Sequence, residues 1–257
     1  ANPICAIFME DSSSETTVKL ISDVAIVANN LQPAIGFNNT NNVIDLNGFH
    51  LKIGIPEILN TINGEGSFKG GLYNTTSQLS LSGNGYMGIL NFHDNFKYLQ
   101  SLSLNFVANQ IGVSLGNQLT VTYLNLTNGI LNTDTNNLII SETGNITGAS
   151  QNNFIIAQTE IGGTLRKNFP DGTNSNRTFT FPIGSNAQQF TPATLTLNNS
   201  KFDNAYLTMS VNNEKHPNND APDNFINRYW QVFAKGITLV DNYSFTGNYL
   251  STDVSGD

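Results

Sequence analysis

The chain has 257 residues and a formal net charge of −8 at pH 7, and charged residues make up only 12% of it. Its 11 lysines and arginines are scattered, so they do not form the concentrated basic face of a nucleic-acid-binding protein, and that partner class is excluded. No apolar run reaches the roughly 18 residues needed to cross a bilayer, so no membrane-spanning segment is predicted. The single cysteine, Cys5, excludes an internal disulfide, and its apolar neighbours predict a small buried side chain.

Turn-forming residues dominate the polar part of the composition, with 40 asparagines and 22 glycines. Asparagine and glycine favour turns because both tolerate left-handed backbone angles. Good helix formers are scarce, so no long helix is predicted. Hydrophobic residues still make up 39% of the chain, which is enough to bury a core. The composition therefore indicates an all-β protein with many short strands.

Short apolar alternations begin near Val18 and continue to about Ile156, with turn signals such as Asn47-Gly48 and Asn128-Gly129 between them. Alternation of apolar and polar residues over a few positions is the signal of a β-strand. The predicted strands are Val24–Val27, Val43–Leu46, Leu51–Ile53, Leu79–Ser82, Leu102–Leu104, Ile111–Leu115, Leu119–Leu124 and Leu138–Ile140. Before them, Ala6–Met9 is predicted to cap the N-terminal end.

Two architectures compete for this pattern, a sandwich of hairpins and a β-solenoid. Hairpins usually join strands of matched length through two-residue turns, whereas these strands are very short and their turns irregular. The phrase at Ile44–Ile53 returns at Leu124–Leu131, and repetition at about 20 residues per coil is typical of a solenoid. Residues 1–150 are therefore predicted to form a β-solenoid with an N-terminal cap, and its corner asparagines to stack as amide ladders.

The pattern changes after about residue 150. Prolines appear in Phe169–Gly172 and Phe181–Gly184, and proline does not fit a central strand. Longer alternating strands follow at Arg177–Phe181, Ala193–Leu197, Ala205–Val211 and Tyr229–Phe233. The polar stretch His216–Asn224 reads as a loop between two of them. Residues 151–257 are therefore predicted to form an antiparallel β-sandwich.

The order of several short phrases resembles the repetitive region of large secreted, adhesin-like surface proteins of Bacteroidetes. Those phrases are Asp45–Gly48, Gly64–Gly70, Leu119–Asn132, Ile146–Gly148, Gly163–Arg166, Phe181–Gly184 and Arg228–Trp230. The resemblance implies an extracellular, cell-surface protein exported by the type IX secretion system, as a fragment of a longer chain. Similar proteins have several more strands after the Arg-Tyr-Trp strand, so the sandwich is expected to be incomplete at the C-terminus. No catalytic residues transfer from this resemblance.

Residues with catalytic or metal-binding chemistry do not form a recognised motif. His50, His93 and His216 lie far apart in sequence, and no nucleophile elbow, zinc-protease motif or phosphate loop is present. Two polar loops offer hard oxygen ligands, so calcium is the one cofactor considered. Its candidate ligands are Asp171, Asn174, Asp220 and Asp223. Neither loop fits the twelve-residue calcium-binding pattern, and solvated loops are the alternative.

A polysaccharide-acting protein is the main alternative to a structural role. The acids that could line one face of a solenoid are Asp45, Glu57, Glu65, Asp94, Asp134 and Glu142, and they recur at no single coil position. The aromatic residues that could stack on sugar rings are Tyr73, Tyr86, Phe92, Phe96, Tyr98 and Tyr123, with core packing as the competing role.

The sequence therefore favours a non-catalytic extracellular module for structure or adhesion at the cell surface. Its expected partners are other surface proteins, glycans, or the remainder of a larger polypeptide or assembly. The alternative is a secreted carbohydrate-binding or lyase-like protein on a β-helix scaffold.

Overall fold

A computed structural model describes residues 4–10, 13–27, 33–238 and 240–256, and its regular structure is nearly all β-strand. The first nine strands are β1 (Ile7–Met9), β2 (Thr16–Lys19), β3 (Val24–Ile26), β4 (Ile35–Phe37), β5 (Asn42–Asp45), β6 (His50–Ile53), β7 (Ile62–Asn63), β8 (Ser67–Lys69) and β9 (Gln78–Ser82). The next eight are β10 (Ile89–Leu90), β11 (Tyr98–Asn105), β12 (Ile111–Leu115), β13 (Leu119–Asn128), β14 (Ile130–Asn132), β15 (Asn137–Thr147), β16 (Ile155–Ile156) and β17 (Thr164–Phe169). The last seven are β18 (Gly172–Phe181), β19 (Ile183–Gly184), β20 (Ala193–Asn212), β21 (Phe225–Ile226), β22 (Tyr229–Thr238), β23 (Asn242–Gly247) and β24 (Val254–Ser255). Two short 3-10 helices cover Thr159–Ile161 and Ser251–Asp253.

The chain winds into a β-solenoid of about seven turns, which confirms the predicted fold class. The first face is formed by β1, β4 and β7 and then by β10, β12, β14, β16 and β19. The Ile62 N–H donates to the Met87 carbonyl at 2.7 Å and joins these two groups of strands. The second face is formed by β2, β5 and β8, and the long third face by β3, β6, β9, β11, β13, β15 and β17. Neighbouring strands from successive coils run parallel on all three faces.

The solenoid core consists of aliphatic side chains stacked in register from coil to coil. On the third face, one such row contains Leu51, Leu79, Leu102 and Leu124, and its members are completely buried. Alternation along each strand places these side chains inside and the polar residues between them outside. Each coil can therefore bury its inner face only against its neighbours, which is the stabilising principle of a solenoid.

The coils vary in length around the repeat of about 20 residues expected from the sequence. Leu102 pairs with Leu124, 22 positions later, whereas Leu51 pairs with Leu79, 28 positions later. The first three coils are longer because each has a separate strand on the second face. Among the described residues, no named strand continues the second face beyond β8, and the coil shortens to 22 positions between Leu102 and Leu124 and to 19 between Leu119 and Leu138. It lengthens again to 27 positions between Leu138 and Leu165.

Asparagines serve the turns more often than they form amide ladders. Positive φ angles occur at Asn47, Asn74, Asn109, Asn174, Asn199, Asn204 and Asn224. A left-handed backbone costs asparagine less than most residues, so each of these positions lets the chain change direction sharply. Side-chain amides also pair between adjacent coils, as in the Asn128 Nδ2 donation to Asn105 Oδ1 at 3.2 Å.

Polar side chains on the outside of the third face bond across coils, and Asn125 is the centre of one such group. Its Nδ2 donates to Ser101 Oγ at 3.2 Å and to Ser103 Oγ at 3.1 Å, while its Oδ1 accepts from Thr147 Oγ1 at 2.8 Å.

Replacing Asn125 with alanine is expected to lower the free energy of unfolding by about 1 kcal/mol, because these partly exposed bonds are lost. Urea unfolding checks this value, with Thr127→Ala on the same strand as a control expected within about 0.5 kcal/mol of wild type. Equal effects of the two substitutions would contradict the role of Asn125.

Beyond the last coils, antiparallel strands continue the third-face sheet. β20 has 20 residues, and it pairs with β17 and β18 along one side and with β22 and β23 along the other. These five strands are called the C-terminal sheet below. The expected sandwich of residues 151–257, its boundary at residue 150 and its truncation stay predictions. Antiparallel strands are present there, and first-face strands also continue to stack through β16 and β19.

The C-terminal sheet bends in the middle of β20, between its two asparagines of positive φ, Asn199 and Asn204. Leu195 and Leu197 before the bend and Leu207 after it line the same cleft, so the two halves of the sheet face each other. Trp230 closes one end of this arrangement, with its ring 5.7 Å from that of Phe245.

Candidate functional site

The outer surface of the second face carries a group of charged side chains. Strand alternation and register place Lys19, Asp45 and Lys69 side by side on β2, β5 and β8. The segment Phe92–Lys97 of the next coil lies beside this row, where it contributes to a groove on either side. This outer row and this segment are called the second-face site below.

Lys69 connects the charged row to an aromatic ring. Its Nζ lies 3.5 Å from Asp45 Oδ2 and 4.3 Å from the centre of the Phe96 ring. The other oxygen of Asp45 accepts the N–H of Asn47 at 2.9 Å and holds the turn that follows β5. Lys69 is therefore fixed between a carboxylate and an aromatic face, an arrangement that orders its side chain.

The first groove, called the Tyr73 groove, has a volume of about 420 Å³. The Tyr73 side chain is 62% exposed, and its ring stands edge-on to that of Tyr98 at 5.7 Å. Tyr98 is held in turn by a 3.1 Å hydrogen bond with Thr122 on the adjacent coil. The groove thus presents a supported aromatic ring beside amide, ammonium and carboxylate groups, which could bind a polar ligand with an apolar face.

The second groove, called the His93 groove, has a volume of about 480 Å³ and contains three acids, Glu15, Glu65 and Asp94. His93 Nε2 lies 3.6 Å from Glu15 Oε2, and Lys97 Nζ lies 2.8 Å from Asp94 Oδ1. The hydrogen bond from Lys97, followed by the positive charge of Lys97, lowers the pKa of Asp94 below its usual value. Two of the three acids of this groove, Glu15 and Asp94, therefore lie beside basic side chains.

Only some of the acids proposed from the sequence lie at the second-face site. Asp45, Glu65 and Asp94 lie at the second-face site. Asp134 lies in a left-handed turn after β14, and Glu142 is exposed on β15. Glu57 is exposed on the loop between β6 and β7.

The aromatic candidates divide in the same way. Tyr73, Phe96 and Tyr98 meet at the Tyr73 groove. Phe92 is only 1% exposed and packs on Phe68 inside the solenoid, so core packing is its role and the sugar-stacking interpretation is wrong for it. Tyr86 and Tyr123 are exposed elsewhere.

The sequence reasoning also misplaced Cys5, and it missed part of the site. Cys5 is exposed and not buried, because it precedes β1 at the end of the stack. Glu15, Lys69 and Lys97 also belong to the site, and no motif in the sequence marks them. Because the coils differ in length, the sequence does not show which residues become neighbours on successive coils. The pairing of β5 with β8 shows which residues share a row.

The calcium candidates lie in two separate parts of the chain. Asp171 is exposed, and its Oδ1 accepts the N–H of Asn204 at 2.8 Å, so one of its oxygens already stabilises the bend. Asn174 is exposed in a left-handed conformation. Asp220 and Asp223 are exposed on the loop before β21. Within the part of the chain that the structure describes, no three His, Cys, Asp or Glu side chains come together as metal ligands.

Comparison of the chain with protein-family models, with curated proteins and with solved structures gave no match. Among the described residues, no helix is both long enough and apolar enough to span a membrane.

Proposed function

We propose that this chain is a non-catalytic extracellular module that serves adhesion and spacing at a cell surface. The observation that supports this most is the second-face site. It combines exposed aromatic and amide groups with charges that are paired with one another, Asp45 with Lys69 and Asp94 with Lys97. A surface of this kind suits contact with a ligand, because its groups are held in place by the coils beneath.

The solenoid supplies the spacing. About seven turns at a strand separation of about 4.8 Å give a stack roughly 34 Å long. Its aliphatic interior and parallel hydrogen bonding make this stack a stiff support, since each coil is fixed by two neighbours. The binding surface is thereby held at a defined distance from whatever continues or anchors the chain.

The extracellular location and the cell-surface setting rest on the sequence. The low content of charged residues, the abundance of asparagine and threonine, and the ordered phrases from Asp45–Gly48 to Arg228–Trp230 support it. The same phrases support export by the type IX system and membership of a larger polypeptide or assembly. Detection of the protein by antibody on intact cells, and its removal by external protease, would test this location; protection from protease would contradict it.

A secreted carbohydrate-binding protein is the second candidate, and the Tyr73 groove favours it. Sugar rings stack their C–H faces on aromatic side chains, while their hydroxyls bond to amides and charged groups. Tyr73 offers the ring, and Asn47 and Asn74 line the same groove as the Lys69–Asp45 pair. Binding by this groove is compatible with adhesion, and a lyase-like activity would require in addition that a bond of the glycan be broken.

The test is a glycan array and a panel of surface-protein ligands probed with the wild-type chain and with Tyr73→Ala. Loss of the ring that forms the groove wall is expected to weaken ligand binding at least about tenfold, which corresponds to about 1.4 kcal/mol. Tyr86→Ala is the matched control, because Tyr86 is also an exposed tyrosine, 47% exposed, and does not line the groove.

Product analysis on the bound glycan separates binding from cleavage. We expect no release of reducing or unsaturated ends by the wild-type chain. Release of such ends, abolished by Lys69→Met or Asp45→Asn, would replace the non-catalytic proposal with the lyase-like one. Equal binding by wild type and Tyr73→Ala would exclude the Tyr73 groove as the adhesive surface.

A further inference from the structure

An open apolar cleft of about 380 Å³ lies between the two halves of the C-terminal sheet. It is formed by residues other than those of the second-face site, and nothing in the proposed function requires it. Its walls are built from Leu207, Val232 and Ala234 on one side and from Leu197, Tyr243 and Phe245 on the other.

The cleft is open to solvent although its lining is apolar. Val232 is 40% exposed, Phe245 is 42% exposed and Tyr243 is 71% exposed. Contiguous apolar surface of this extent on a soluble monomer is often an interaction site. In contrast, Leu195 and Leu207 at the bottom of the cleft are buried, so the cleft has a packed floor.

Unpaired strand edges run along the opening. β22 and β23 each pair with β20 on one side, and neither pairs with a second strand on its other side among the described residues. Such an edge presents free N–H and C=O groups and is usually protected by proline, by charges or by short length. β22 has ten residues without proline, and Lys235 is its one charged residue. An irregularity at Gly236 interrupts the end of β22, so the part of the edge with little protection against addition of a strand is Tyr229–Lys235.

We propose that the cleft and the β22–β23 edge bind one extended strand of a partner polypeptide whose alternate side chains are apolar. The backbone of such a strand would bond to the free edge, while every second side chain would enter the cleft. Both parts of the surface are used by this occupant. A small apolar molecule would leave the edge groups unpaired.

The size of the surface favours a single strand over a second folded copy of the chain. The exposed parts of Val232, Val240, Tyr243 and Phe245 amount to roughly 250–400 Å² of apolar area, if a complete aromatic side chain offers about 150–250 Å². A stable interface between two folded proteins buries about 800 Å² on each partner. One strand needs less area, because its backbone hydrogen bonds to the edge add to the apolar contact.

The test uses the full 257-residue chain and a synthetic peptide of alternating valine and threonine with a lysine at each end. Hydrogen–deuterium exchange is expected to show protection of amides in Tyr229–Gly247 when this peptide is added. A peptide of the same composition with its valines grouped together is the control for apolar stickiness. We expect it to bind at least about tenfold more weakly, because it cannot place alternate valines in the cleft.

Substitutions test whether the peptide binds in the cleft. Val232→Lys places an ammonium group on the cleft wall and is expected to weaken peptide binding at least about tenfold. Thr127→Lys adds the same charge at an exposed position of β13, away from the cleft and from the β22–β23 edge, and is expected to leave binding unchanged. Tyr243→Lys on the opposite wall gives a second variant at a 71% exposed position, in case Val232→Lys impairs folding.

Three results would overturn the proposal. One is equal binding of the alternating and grouped peptides, and another is peptide binding that neither cleft variant weakens. The third is sedimentation of the wild-type chain as a dimer that Val232→Lys dissociates, which would assign the cleft to a second copy. Protection of Tyr229–Gly247 by the alternating peptide, lost in both cleft variants and kept in Thr127→Lys, would support the proposal.

Discussion

Replacement of Asp253 with asparagine is expected to lower the free energy of unfolding by about 3–5 kcal/mol, because it leaves a buried arginine without its counter-charge. Arg228 is completely buried at its side chain, and Asp253 is 3% exposed. Arg228 Nε donates to Asp253 Oδ2 at 2.6 Å and Nη2 donates to Oδ1 at 2.9 Å, so the pair is bidentate. The remaining guanidinium protons reach Ser185 and Asn213, which connects the C-terminal segment to the last coil.

Urea unfolding measures this change, and exchange of the amides in β21 shows whether the C-terminal segment detaches first. Asp220→Asn makes the same chemical change at an exposed loop position and is expected to alter stability by less than about 0.5 kcal/mol. The double variant Arg228→Met with Asp253→Leu is expected to regain much of the loss, since it buries no charge. Similar stabilities for Asp253→Asn and Asp220→Asn would contradict the importance of the pair.

The Arg228–Asp253 pair also makes the free energy of unfolding depend on pH, and the direction of that dependence follows from the pKa of Asp253. Burial alone would raise the pKa of Asp253, but the hydrogen bonds from Arg228 and from the Leu250 N–H, together with the Arg228 charge, outweigh it and lower the pKa. The stabilisation is therefore present above the unfolded value of 3.8 and is lost as the pH falls through the lower folded value.

Replacement of Lys167 with methionine is expected to lower the free energy of unfolding by about 3 kcal/mol at pH 7, because it leaves several buried carbonyl groups without a donor. Lys167 is 6% exposed, and its Nζ donates to the carbonyls of Ser141 and Gly144 at 2.7 Å each and to that of Glu142 at 3.0 Å. These carbonyls belong to the irregular part of β15, where register with β13 shifts. Methionine keeps roughly the length of the side chain and removes both the donors and the buried charge. The expected loss is therefore a net value, because relief of the burial cost of the charge offsets part of the cost of the unsatisfied carbonyls.

Chemical denaturation at several pH values tests this role, with Lys201→Met as the control at an exposed lysine. Burial lowers the pKa of Lys167 from 10.5 to about 8, and the negative charge of Glu142 opposes this shift. Between pH 8 and 10.5 the unfolded chain binds more protons than the folded one, so stability is expected to rise with pH by at most about 3 kcal/mol. The rise should be absent in Lys167→Met and present in Lys201→Met. An identical pH profile for all three proteins would show that Lys167 does not titrate in this way.

Local alternation along the chain determined the strands and their inward faces. The predicted strand Ile111–Leu115 has the observed bounds of β12, and the predicted Leu79–Ser82 lies within β9. The prediction succeeded because a strand needs only its own period-two pattern to define a buried face. Turn positions such as Asn47-Gly48 were equally visible, since asparagine and glycine accept the required backbone angles.

Contacts between coils were not visible, because they depend on the number of residues in each coil. Lys69 meets Asp45 24 positions earlier, and His93 meets Glu15 much earlier still. The burial of Phe92 was not visible in the sequence for the same reason, since one residue of register decides between the core and the solvent.

By itself, the sequence determined that this protein is all-β, rich in turns and wound as a solenoid, because hydrophobic alternation and turn residues act over a few neighbouring positions. Tertiary structure alone decided which charges pair on the second face, where β20 bends, and which buried groups satisfy Lys167 and Arg228. These features arise from side chains that lie many positions apart and meet only when coils of 19 to 28 residues have stacked in one register.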